Sequence, residues 1–147
     1  MDLFYILLAF VAGACAPTQA GINSQLRLWT NDPFFASMIS FAVGTAALLF
    51  YVLVLRIPWP AMKIVYNSPW WIWTGGLLGA FLVAVTVILA PELGAATMMA
   101  IMIAGQIMAG VILDHFGLVG YEEHPANIWR CLGAVLLVTG VVIIKKF

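Results

Sequence analysis

From Leu3 to Leu26 the chain carries no charged side chain, yet the second half of that run holds Pro17, Thr18, Gln19 and Asn23. A helix needs about 20 apolar residues to cross the hydrocarbon core of a bilayer, so the run is long enough to span it. An amide left without a partner in hydrocarbon costs roughly 4–8 kcal/mol on the cyclohexane scale. Gln19 and Asn23 therefore have to face protein or water. Being four apart, they share one face of a helix, and Ala12 and Ala16 extend that face with side chains small enough to leave room beside it. Pro17 removes a backbone donor and disturbs the carbonyl one turn earlier, which predicts a kink or a local opening. A small, polar, kinked face inside a membrane helix is the first pointer to function.

The remainder of the chain repeats the membrane signal. Its 147 residues are 65% hydrophobic and only 8% charged, with a mean hydropathy of +1.10, where a soluble domain carries about 25% charged residues. We expect an all-α integral membrane protein with a single transmembrane domain over 1–147 and helices at about 3–25, 34–55, 70–90, 93–113 and 126–144. Leu26 to Pro33 reads as the first turn. Ile57-Pro58-Trp59-Pro60 breaks the chain after segment two, since two prolines forbid a continuous helix. Pro91-Glu92 reads as a tight break, and Asp114 to Pro125 as the longest loop. All six tryptophans stand near segment ends, where aromatic belts meet the headgroups. Gly75 and Gly79 form a pair that lets helices approach closely. We expect no removable signal peptide, because Met1-Asp2 supplies no basic start and the first apolar run far exceeds the roughly 7–15 residues of such a segment. With zero net charge and no basic cluster beyond Lys145-Lys146, a nucleic-acid partner is excluded. Cys15 and Cys131 read as small buried hydrophobes; two isolated thiols make neither a disulfide framework nor a zinc site.

The remaining polar residues divide by position. Gln106 sits near the middle of segment four and needs an internal partner, as Gln19 does. Met98, Met99, Met102 and Met108 surround it, and their adaptable side chains suit a permissive pocket, Met102 above all. Glu92 reads as a cap of segment four, with a second role open to it in coupling or gating. Asp114 falls at a helix C-terminus, where the macrodipole disfavours an acid, so a cation such as Arg130 is its expected partner; it too is a candidate for coupling or gating. Arg130 is tolerated because it can snorkel to the interface. Glu122, Glu123 and His124 read as a solvated loop face. His115 and His124 lie nine apart in that loop, and no His, Asp and Glu cluster has metal or acid–base spacing inside the membrane. Neither an enzyme nor a metal or cofactor is expected. Gly133 and Gly140, seven apart on one face of segment five, are the expected dimer contact.

Charge then bears on orientation. Five crossings put Arg56, Lys63 and Arg130 on the N-terminal side of the membrane, and Arg27, Lys145 and Lys146 on the other. Three against three leaves no Lys/Arg bias, and that bias normally fixes topology. A chain without preference can insert both ways and pair with an inverted copy of itself about an axis in the membrane plane. The expected assembly is an antiparallel, dual-topology homodimer of ten helices, with a paralogous partner chain left open as the second copy.

Several motifs resemble a known family. Pro17-Thr18-Gln19-Ala20-Gly21-Ile22-Asn23-Ser24-Gln25-Leu26, Ser40-Phe41-Ala42-Val43-Gly44-Thr45 and Trp73-Thr74-Gly75-Gly76-Leu77-Leu78-Gly79 are similar to those of the YdcZ-type, five-helix members of the drug/metabolite transporter superfamily. So are Pro91-Glu92-Leu93-Gly94-Ala95, Gly105-Gln106 and Asp114-His115-Phe116-Gly117. The resemblance covers nearly the whole chain. It implies a bacterial inner-membrane protein, dual-topology or oppositely oriented pairs, and a transport role. Gly133 to Val141 is similar to the dimer-forming last helix of the small multidrug resistance proteins. Those exporters carry a glutamate in the middle of the first helix; here no segment has an acid at its centre, so proton-coupled export of cations does not carry over.

Three functions fit a polar face inside membrane helices. They are a secondary transporter, a small dual-topology ion channel, and a structural or assembly subunit whose amides merely join helices. Interhelical hydrogen bonds average only about 0.6 kcal/mol, so joining helices is a weak reason for three amides, whereas a hydrated cavity removes their desolvation cost. A channel needs a continuous conduit, and a kink with adaptable methionines suits alternating access better. The expectation is a transporter of a small neutral or zwitterionic metabolite, its site lined by Thr18, Gln19, Asn23, Gln106 and Met102. Its partners are then the lipid bilayer, the inverted second copy and the substrate.

Overall fold

In the computed structural model residues 3–147 are described; Met1 and Asp2, on which the signal-peptide expectation rests, lie outside the described residues. Helix α1 (Leu3–Thr30) is longer than expected. Arg27 falls in its last turn, where the helix dipole favours a cation, and the Thr30 hydroxyl donates to the Leu26 carbonyl at 3.2 Å. The helix stops because Asn31 takes φ 57°, a left-handed conformation that asparagine tolerates just past a helix end. Asp32 then caps α2 (Pro33–Val54): its Oδ1 accepts the Phe34 and Phe35 N–H groups, each at 2.8 Å, and proline at the first helical position costs nothing. The expected turn from Leu26 to Pro33 thus shrinks to two residues. α1 runs unbroken through Pro17.

After the break at Pro58 and Pro60 come the short α3 (Met62–Asn67), a 3-10 turn at Trp70–Thr74, and α4 (Gly75–Leu93). Here the structure corrects the sequence reading. α4 continues through Pro91 and Glu92, and the break falls at Gly94, whose φ of 73° and ψ of 158° suit glycine almost alone. A proline near the end of a helix forfeits one bond, to the Val87 carbonyl, and does not stop it. Glu92 consequently lies in the last turn of α4 and does not cap α5 (Ala95–His115), which Gly94 precedes without any side-chain cap. A loop containing a 3-10 turn at Leu118–Gly120 leads to α6 (Ile128–Lys146), where Asn127 accepts the Arg130 N–H at 2.9 Å.

Among the described residues, five stretches are long and apolar enough to span a membrane: α1, α2, Trp70–Leu93, α5 and α6. No more than 11% of any such apolar window is buried within the chain. Apolar helices this exposed need lipid or another protein around them. The chain forms two compact units, one ending at Pro91 and the other Glu92–Phe147. In the first, the α1/α2 hairpin buries only small or polar residues, Ala20, Asn23, Ala36 and Ser37, and Gly79 of α4 approaches the Phe41 ring of α2, which lies 3.6 Å from where a Cβ would stand. The second unit is the α5/α6 hairpin with its connecting loop.

Candidate functional site

Thr18, Gln19 and Asn23 of α1 border one groove. With Ser40 of α2 they line a groove of about 460 Å³ whose remaining walls include Val11 and Ile22. A smaller groove of about 210 Å³ lies beside it and shares Gln19 and Ser40, with Gly44 and Thr45 on the α2 side. Sequence reasoning missed Ser40 and Thr45 as lining. The four-residue spacing of Ser40 and Gly44 in an uncharged helix carried the same signal as Gln19 and Asn23. The small residues beside the amides are Ala14 and Cys15, not Ala12 and Ala16. Gln19 and Asn23 stand at one margin of this groove face, and helical spacing carries Ala12 and Ala16 to the side away from its centre.

The polar groups of this groove are unequally satisfied. The Thr18 hydroxyl donates to the Ala14 carbonyl at 3.0 Å, leaving its lone pairs free. Asn23 is 3% exposed, and its Nδ2 has no hydrogen-bond partner. No charged side chain lines either groove. Cys15 is exposed there and Cys131 is exposed on α6, so neither thiol is the buried hydrophobe that its apolar surroundings in sequence suggested; a helix facing lipid needs no burial inside its own chain.

Gln106 belongs to the second unit. It lines an α5/α6 groove of about 550 Å³ together with Asp114, Arg130 and Gly133. A further groove of about 440 Å³ along the same helices is lined by Met99 and Gly140 among others; Met102 is half-buried on α5. At the end of α5 the expected ion pair is present: Arg130 Nη1 donates to Asp114 Oδ2 at 3.1 Å and to the His124 carbonyl at 3.2 Å. The His124 N–H donates to the Asp114 carbonyl at 2.7 Å, and the Ala126 N–H to His115 Nδ1 at 3.0 Å. These bonds tie the loop to the helix ends. Among the described residues no three His, Cys, Asp or Glu side chains are grouped to hold a metal.

Long apolar spans interrupted by neutral polar grooves define a polytopic α-helical membrane protein. The chain belongs to the YdcZ family: the family model described as "Putative inner membrane exporter, YdcZ" matches residues 4–143. The chain is also 31% identical, over 132 residues, to the inner membrane protein YdcZ of Escherichia coli (strain K12), covering 86% of this chain and 88% of that protein. No solved structure matches it. It is a multi-pass protein of the inner membrane.

Proposed function

We propose that the chain is a secondary transporter that moves a small neutral or zwitterionic metabolite by alternating access, working as an antiparallel homodimer in which residues 1–147 act as one transport domain. The observation that carries this reading is Asn23, an amide buried to 3% exposure with its Nδ2 unpartnered at the wall of a groove that holds Thr18, Gln19 and Ser40. An unmet buried donor costs about 1–3 kcal/mol, and a conformational change that opens Asn23 to a solute oxygen removes that cost. A residue kept only to join helices has no reason to stay unpaired. The neutral lining favours a solute without net charge, and the family's description as an exporter supports transport over catalysis. Gln106 and Met102 are further candidate substrate contacts on α5, while coupling or gating falls to Glu92 and Asp114. Alternation would flex α1 at Pro17, where a backbone donor is missing beside the back-bonded Thr18.

Purified protein in liposomes, screened with neutral and zwitterionic metabolites with and without proton and sodium gradients, tests this directly. Saturable flux is expected, lost in Gln19→Ala and Asn23→Ala with expression and dimerisation intact. Ion conductance without saturable solute flux would replace the transporter by a channel.

A further inference from the structure

The α5/α6 hairpin leaves an open trough along its length. Its two grooves share Leu136 and Leu137 as lining, so they form one channel from Asp114 and Arg130 at one end to Ala96 and Ile144 at the other. The eighteen residue steps from Ala96 to Asp114 span about 27 Å at 1.5 Å per residue, close to the thickness of a bilayer core. A Cβ placed on Gly110, Gly133 or Gly140, which line the trough, meets nothing within 4 Å. The space is therefore vacant, and helices in lipid associate by packing where small residues permit close approach.

The ends of this trough differ in charge. At one end Arg130 offsets Asp114 at 3.1 Å, which leaves the exposed Glu122 and Glu123 in excess. At the far end of α6 stand the exposed Lys145 and Lys146, with Glu92 before the start of α5. We propose that the trough seats α6 of a second, inverted copy, so that Lys145 and Lys146 of each copy meet Glu122 and Glu123 of the other. This rests on the antiparallel-homodimer reading and goes beyond it by naming the surface and its ionic clasp. A parallel pair would set lysines against lysines and glutamates against glutamates. An inverted pair matches both ends at once, and the two-fold symmetry repeats each contact. A lipid chain fills the apolar length but leaves both charged ends unmatched.

Three measurements on the full chain test the proposal. In a background lacking Cys15 and Cys131, Tyr121→Cys on one tagged chain and Phe147→Cys on another should cross-link on oxidation in native membranes, without 147-to-147 products. Like-to-like products alone, or none while dimers persist, would overturn it. Gly133→Leu with Gly140→Leu fills vacant space, so the monomer should fold while the dimer weakens by at least about tenfold; an unchanged dimer that loses bound phospholipid would assign the trough to lipid instead. In detergent, where insertion bias plays no part, Lys145→Glu with Lys146→Glu should weaken association several-fold, up to about tenfold, as should salt raised to about 0.3 M. Mixing with a Glu122→Lys, Glu123→Lys chain should restore it, and failure of that rescue would remove the clasp. Reporters showing a single orientation would sink the dual-topology reading itself. Two orientations without the 121-to-147 cross-link would overturn only the present inference.

Discussion

Asn23 is the residue on which function and stability part company. Its neighbours Ala20, Ala36 and Ser37 are equally buried, but Ser37 satisfies its hydroxyl on the Pro33 carbonyl at 2.7 Å, whereas the Asn23 Nδ2 has no partner. Asn23→Ala removes an unmet donor, so thermal unfolding in detergent should show stability unchanged or raised by up to about 1–3 kcal/mol, while transport is lost. A clear fall in stability would mean that the amide joins helices. Arg130 shows the opposite economy: one guanidinium nitrogen serves both Asp114 and the His124 carbonyl. Since both partners of that pair are about a third exposed, the pair contributes only about 0.2–1 kcal/mol. Its importance is in shaping the loop.

At the scale of elements, the junction between α4 and α5 depends on a single glycine. Gly94 combines φ 73° with ψ 158°, a region costing about 1–3 kcal/mol for residues with a Cβ. Gly94→Ala should lower stability by that amount. Pro91→Ala should be neutral or mildly stabilising, because it returns a donor to the Val87 carbonyl without changing where the helix ends. Equal losses in both variants, measured by thermal unfolding, would restore the proline as the break. The α1/α2 junction works by a different device, Asn31 in the left-handed region followed by the Asp32 cap. The α1/α2 device makes a tight hairpin between two long spans.

For the whole molecule, the decisive quantity is the balance of positive charge, three Lys/Arg residues on each side of five crossings. Reporter fusions after Phe147 that are active on only one side of the membrane should both give signal. Adding two lysines there should move the population toward a cytoplasmic C-terminus, because the count becomes three against five. Activity of one reporter alone would fix a single topology. The low burial of every span within the chain agrees with helices that finish their packing against lipid or a second copy.

Five spans and their approximate positions follow from apolar runs and charge, because a bilayer imposes length and polarity on each segment independently of its neighbours. That Gln19 and Asn23 share one helix face was legible for a similar reason, from their four-residue spacing alone. The Asp114–Arg130 pair was legible from the helix dipole. Ser40 and Thr45 as lining beside Gln19 were not, since they come from a second helix whose rotation is set by packing. Nor was the orphaned Nδ2 of Asn23, which depends on how closely the α1/α2 hairpin shuts around it. Helix ends were misread at Gln25 and Pro91, where the chain stops only at Asn31 and Gly94. Apolar pattern locates a span, but whether a given residue adopts positive φ is a backbone choice made in the folded chain. Local sequence thus determined which segments are long and apolar enough to cross the membrane, and tertiary packing decided which side chains meet and which amide is left without a partner.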